Sequence, residues 1–270
     1  MSYTHYYPDS SMLHASMSEC MGTQIDVLLV GEDESFLQGL WREIETLLGA
    51  MERSLSRFDA EGELYHLNEN GAMMSVELSD LLWEVLKECR EYNQLTNGYF
   101  DITLGSALNL VLDSDDRSAY FIDETMSLDL GAYGKGCALE CIRERLKAEG
   151  VESAFVNFGN SSILALGCHP CGDCWPIAVA DPYSGEPLAE YKLKDSVLTV
   201  SGNTPSHAEH IINPHTGEYD IRRRVVAIES NDPKLGEALT TSMMLMPDSE
   251  VDELYERVRG RIKSRYIKNL

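Results

Sequence analysis

The sequence predicts an α+β fold, antiparallel sheets packed with helices, on three observations. The stretch "ESFLQGLWREIETLLGAMERSLSRF" sets Phe36, Leu37, Leu40, Ile44, Leu47, Leu48 and Met51 at helical spacing, so one long amphipathic helix lays its apolar stripe on a core. Between residues 153 and 214 the short apolar runs "SAFVNFG", "SSILALG", "WPIAVADP", "AEYKLKD", "SVLTVSG" and "HIINP" are separated by Gly, Pro and Asp turns, the pattern of linked hairpins. Helical runs stand before and after that group, and no internal period repeats.

The remaining elements follow in order. The first 20 residues are polar and read as an irregular N-terminal arm, with residues 21–270 as a single domain or two α+β subdomains. "MGTQIDVLLVG" alternates and is rich in β-branched residues, which predicts a strand. "LSDLLWEVLKECREYNQLTNG" is a helix with Ser79 as N-cap and Gly98 as terminator, and "KGCALECIRERLKAEG" is another, closed by Gly150. "RRRVVAIES" gives a strand, "PKLGEALTTSMMLM" a helix, and "DSEVDELYERVRGRIKSRY" a final amphipathic helix.

Composition narrows the function. With 45 acidic against 22 basic side chains and a net charge of -23, the surface repels phosphate backbones, so nucleic acid is not an expected partner. Seven cysteines, two of them four apart on one helix, suit reduced thiols rather than a disulfide framework. The opening residues lack a basic then apolar leader, and no run reaches membrane-spanning length, so a soluble, cytoplasmic protein is expected.

Four stretches carry more chemistry than packing requires. In "LDLGAYGKGCALE" a short strand runs through glycines 131, 134 and 136 into a helix, exposing backbone N–H groups beside Lys135, which makes an anion site. "GYFDITLGSAL" places Asp101 after two aromatic residues, to meet a ligand or to cap the next turn. "HIINPHTGEY" offers His210 as a base or ligand contact, or as a histidine paired in the core. In "GEALTTSMMLM" Glu237 and Thr241 stand four apart, so their oxygens share one helix face and reach a hard cation together, or form a solvated pair. A fifth stretch, "CHPCGDC", packs Cys168, His169, Cys171 and Cys174 into seven residues without a distant second pair. It reads as the turn joining two adjacent strands, with a zinc knuckle as the competing reading.

Taken together, the motifs resemble the ApbE family of flavin transferases. Beside the four stretches stand "MGT" at 21–23, "SRFDAEGELYHLN" at 56–68, "VNFGNSSILALG" at 156–167, a Trp before "IAVADP", and "VSG" at 200–202. The resemblance implies an ApbE-like, flavin-binding fold that uses FAD and Mg2+. The reaction it implies moves FMN to a Ser or Thr hydroxyl of an acceptor protein and releases AMP; the alternatives are FAD pyrophosphatase or a weakened FAD binder. It further implies that Met21, Phe58, Tyr99, Phe100 and Asp101 line the flavin or adenine pocket, that Asp129 and Lys135 contact FAD, and that Ile211 packs on it. The metal would be held by the Ala132 carbonyl, Glu237 and Thr241, and His210 would accept the proton. Departures are specific: the metal-helix Asp is Glu237, "HIINP" has Asn213 where the family has Asp, the serine of its Ser-Glu motif is Gly62, and its Gly-Gly-Asp turn reads "GNSS".

Overall fold

A computed structural model describes residues 2–205 and 211–270. Residues 2–20, expected as an irregular arm, form two strands instead: β1 (Ser2–Tyr7) and β2 (Met12–Cys20). They pair antiparallel, and β2 continues onto β3 (Thr23–Val30), the strand expected in "MGTQIDVLLVG". Their polarity misleads because β1 is an edge strand whose side chains, Tyr6 apart, stay in solvent, while β2 buries only Leu13, Ala15 and Cys20.

The helix α1 (Glu34–Leu55) starts where the Asp33 carboxylate accepts the Phe36 N–H at 3.0 Å, and it buries Leu37, Leu40, Trp41, Ile44, Leu48 and Met51. A short helix α2 (Glu63–Asn70) follows, then β4 (Val76–Glu77) and α3 (Asp80–Leu95), capped by Ser79 as expected. Strands β5 (Leu110–Asp113) and β6 (Ser118–Phe121) join β4 in a small three-stranded sheet. Helix α4 (Gly134–Ala148) ends at Gly150, whose φ of 72° is the left-handed turn that favours glycine.

Next come β7 (Ala154–Phe158), β8 (Ser162–Leu166), β9 (Trp175–Ala180), β10 (Pro187–Leu193), β11 (Ser196–Gly202) and β12 (Arg224–Ser230). Helices α5 (Pro233–Leu245) and α6 (Asp248–Val258) precede β13 (Ile262–Asn269). The final helix is therefore shorter than its sequence pattern suggests. Beyond Gly260 the chain turns and pairs with β12, where tertiary hydrogen bonding overrides local helix propensity. "HIINP" forms no strand among the described residues, only a bridge between Ile212 and Tyr219.

One antiparallel sheet of eight strands, ordered β1-β2-β3-β7-β8-β11-β12-β13, forms the backbone of the molecule. Helices α1, α4 and α5 pack on one face, and the main hydrophobic core lies between. On the other face sits a second apolar cluster under the separate β9–β10 hairpin. Strands β8 and β9 are thus not hydrogen-bonded neighbours, contrary to the adjacent-strand reading. The chain changes sheets between them. Buried Arg224 closes the end of α5 by donating to the Met243 and Met246 carbonyls at 3.0 and 2.9 Å, groups the helix cannot satisfy itself. Among the described residues, no helix is long and apolar enough to cross a membrane.

Candidate active site

The site is built on the segment that leads into α4. It is not a strand; residues 126–130 form no regular element and are held from outside. Leu128 and Leu130 are buried, and the Asn68 amide clamps the Leu128 backbone, donating to its carbonyl at 3.0 Å and accepting its N–H at 2.8 Å. The Asp129 N–H donates to the Ile102 carbonyl at 2.8 Å. Tyr133, fully buried, plants its ring beside Tyr92 and Phe100 and donates its hydroxyl to Glu88 at 2.6 Å. No side chain caps the start of α4; its Gly134 N–H donates to the Leu130 carbonyl at 2.8 Å, and the N–H groups of Lys135 and Gly136 on the same first turn head the helix at the glycine turn.

Two cavities meet at this turn. One, of about 340 Å3, is lined by Met21, Glu52, Arg57, Phe58 and neighbouring backbone. The other, of about 400 Å3, is lined by Tyr99, Phe100, Asp101, Ile211, Ala132, Glu237 and Thr241 among others. Asp129, Gly131 and Lys135 belong to both. Every expected site residue except His210 therefore lies on one cavity or on the wall they share. His210 lies outside the described residues.

Individual side chains have distinct surroundings. Phe58 is 80% exposed at the mouth of the smaller cavity, with the Arg57 guanidinium 4.8 Å above its ring. Arg57 also reaches Asp129 at 3.3 Å, while the other Asp129 oxygen accepts the Gly131 N–H at 2.8 Å. The Met21 N–H donates to Glu52 at 3.0 Å, which pins a residue whose φ of 48° is left-handed. Tyr99 donates to Glu250 at 3.3 Å. The Asp101 carboxylate is engaged in its own loop, accepting from the Thr103 N–H and hydroxyl and from the Gly105 N–H at 2.6–2.9 Å. It shapes the cavity wall as well as lining it.

Glu237 is 4% exposed and accepts a hydrogen bond from the buried Ser162 hydroxyl. Burial pushes its carboxyl up from the usual carboxylate range, while Lys135 and the Ser162 hydroxyl oppose that shift. Gly136 allows the close approach of α4 and α5 that brings Lys135 and Glu237 to one cavity. A Cβ on Gly136 would stand 2.9 Å from Glu237 Cγ and 2.9 Å from the Pro233 carbonyl oxygen.

The Ala132 carbonyl, Glu237 and Thr241 supply only hard oxygen donors, which suit Mg2+ and leave coordination positions for a ligand's own oxygens. Among the described residues no three His, Cys, Asp or Glu side chains converge as a metal site. Residues 167–174 form the loop from β8 to β9, with the His169 Nδ1 accepting the Cys171 N–H at 3.1 Å. Ser162 and Arg57 carry no assigned role in the sequence reading. Both have a local signal, Arg57 its place in "SRF" and Ser162 its place at the end of "GNSS", but only the fold brings Ser162 to Glu237.

A model of the ApbE family matches residues 21–120 and 109–265. A FAD:protein FMN transferase of Vibrio cholerae is 25% identical over 269 residues, covering 84% of this chain and 79% of its own length. One of Salmonella typhimurium is 21% identical over 280 residues, covering 88% and 79%. The structure of the flavin transferase ApbE from Vibrio cholerae superposes with a TM-score of 0.82 at 20% identity, over 95% of this chain and 97% of that one. The ApbE protein of Thermotoga maritima gives 0.81 at 18% identity, over 100% and 97%. At these identities the structural likeness speaks to the fold.

Proposed function

The chain belongs to the ApbE family, and we propose from its site that it is an Mg2+-dependent FAD:protein FMN transferase that modifies a Ser or Thr hydroxyl and releases AMP. One observation carries the reading: two cavities joined at a wall made of Asp129, Gly131 and the cationic Lys135. FAD has two ring-bearing halves linked by a pyrophosphate. Each half takes one cavity, and the pyrophosphate lies at the wall, facing the N-terminal turn of α4 and the Lys135 ammonium.

In the transfer, the acceptor hydroxyl oxygen bonds to the phosphorus of the FMN half, and the bond from that phosphorus to the bridging oxygen breaks. AMP leaves with the bridging oxygen, and the hydroxyl proton goes to a base, for which His210 is the candidate. Lys135 holds the phosphate oxygens and offsets charge that grows on them. Glu237, oriented by Ser162, together with Thr241 and the Ala132 carbonyl, would hold Mg2+, which neutralises and aligns the cleaved pyrophosphate when bound. Asp129, fixed by Gly131 and Arg57, accepts hydrogen bonds from the ligand's polar edge.

Incubation with FAD, Mg2+ and a flavin-acceptor domain tests the reading. A covalent FMN adduct on the domain with an equal amount of AMP supports it. Free FMN with AMP and no adduct makes the protein a FAD pyrophosphatase; FAD binding without AMP makes it a flavin binder.

A further inference from the structure

Behind the wall shared by the two cavities lies a polar cluster that no step of the transfer uses. Glu88, on α3, offers its two carboxylate oxygens to two other helices. Its Oε2 accepts the Tyr133 hydroxyl at 2.6 Å, and its Oε1 accepts the Lys234 ammonium. Tyr133 immediately precedes Gly134, where α4 begins, and Lys234 stands on the first turn of α5. Among the described residues Lys234 has no ion pair other than this one, and the Glu88 side chain accepts from no third group.

The cluster sits where the site needs a distance held. Lys135 comes two residues after Tyr133, and Glu237 three after Lys234, so each arm ends within one turn of a side chain that lines the larger cavity. Gly136 limits how closely α4 and α5 approach, but a steric stop does not keep two helices from sliding or turning against each other. Hydrogen bonds with direction do. The side chains of Lys234 and Glu88 are 22% and 31% exposed, so most of the pair is sheltered from solvent. Burial keeps the nearby Cys89 and Cys137 thiols protonated, and Asp232, the cap of α5, adds a weaker attraction to Lys234 than Glu88 does. Neither Glu88, Tyr133 nor Lys234 lines either cavity, so none of the three is placed to touch a bound dinucleotide.

We infer that Glu88 is a positioning residue: its carboxylate ties the start of α4 to the start of α5 and thereby fixes the distance between Lys135, at the phosphates, and Glu237, at the metal. This rests on the transferase reading above. The role asks for a carboxylate. If the single acceptor oxygen of a glutamine keeps Tyr133, its NH2 group meets the Lys234 ammonium donor to donor.

The test uses the full chain with FAD, Mg2+ and a flavin-acceptor domain. Tyr133→Phe deletes one hydroxyl and keeps the ring, Lys234→Met removes the other arm, and Lys234→Arg keeps that arm in conservative form. Tyr133→Phe, Lys234→Met and Glu88→Gln are each expected to lower kcat about tenfold and to raise the Mg2+ concentration for half-maximal transfer about fivefold, with the acceptor KM within about twofold of wild type. Lys234→Arg should restore both quantities. Both arms act through one carboxylate, so Tyr133→Phe combined with Lys234→Met should lose less than the product of the single losses. The Mg2+ midpoint does not depend on how much of the protein is folded, so a merely structural role leaves it in place. A midpoint within about twofold of wild type in all three variants overturns the inference, whatever happens to kcat or the melting temperature. FAD affinity, titrated by fluorescence with and without Mg2+, reads the same comparison without turnover. A wild-type chain that transfers no FMN defeats the transferase reading, and the inference then stands only if the three variants weaken the effect of Mg2+ on FAD binding; a wild-type affinity that ignores Mg2+ overturns it as well.

Discussion

The Ser162 hydroxyl donates to Glu237 Oε1, and both side chains are buried. The bond joins the sheet, through the start of β8, to α5, and it fixes the direction in which a carboxylate one methylene longer than Asp points. Ser162→Ala removes it without disturbing either backbone. A hydrogen bond to a charged group contributes about 1.5–3 kcal/mol, so the Mg2+-dependent part of FAD affinity should fall about tenfold. Affinity without metal should not change. Fluorescence titration of FAD with and without Mg2+ checks this, and an unchanged Mg2+ effect would remove Ser162 from the metal site.

Gly136 sets the spacing of α4 and α5. Alanine ordinarily strengthens a helix by about 1 kcal/mol over glycine. Here the added methyl meets Glu237 and the Pro233 carbonyl, and backbone cannot move aside as a flexible side chain does. Gly136→Ala is expected to destabilise the fold by about 1–3 kcal/mol. Thermal unfolding reads the sign; a higher melting temperature would contradict the close approach.

Lys135 is the cation on the wall between the two cavities. Lys135→Met should weaken FAD binding by about 10–100-fold, and added salt should narrow the difference. Riboflavin, which has no phosphate, should bind both proteins alike. Equal loss for FAD and riboflavin would mean that Lys135 supports the cavity shape rather than the phosphates.

The cysteines divide by burial. Burial pushes the Cys20 thiol up to about 12 and raises Cys89, Cys137 and Cys141 as well. A thiol that ionises later in the folded state than in the unfolded one leaves the unfolded chain with fewer protons once the pH passes the ordinary thiol value. Stability is therefore level below about pH 8 and falls as pH rises from about 9 toward 12. Urea unfolding at several pH values shows the slope, and Cys20→Ala should reduce it. Near pH 8 a thiol reagent should label exposed Cys171 first and leave buried Cys20, Cys89 and Cys137 until the protein unfolds.

Much of this molecule is legible from its residues, for reasons that differ by element. Helices α1, α3 and α4 announce themselves because each buries a stripe at helical spacing and carries its own cap or terminator. Strands β1 and β13 do not, because an edge strand needs no apolar alternation and is defined by the neighbour it meets. Asp129, Lys135, Glu237 and Thr241 are expected from the order of motifs along the chain, and the fold places all four on one cavity. Arg57 and Ser162 meet partners distant in sequence, Asp129 and Glu237, and only the fold brings each pair together.

The register that sets Ile25 opposite Phe158 also dictates a schedule for folding. β1, β2 and β3 are consecutive in sequence and pair as a local meander, which needs nothing made after them. The inner edge of β3 then waits through the making of four helices and the small sheet before β7 arrives to cover it. During that interval Ile25, Val27 and Leu29, fully buried at the end, stand beside an unpaired strand edge. An apolar strand edge left open until β7 is made is an aggregation hazard in a partly synthesised chain, and it is there that a chaperone would gain purchase.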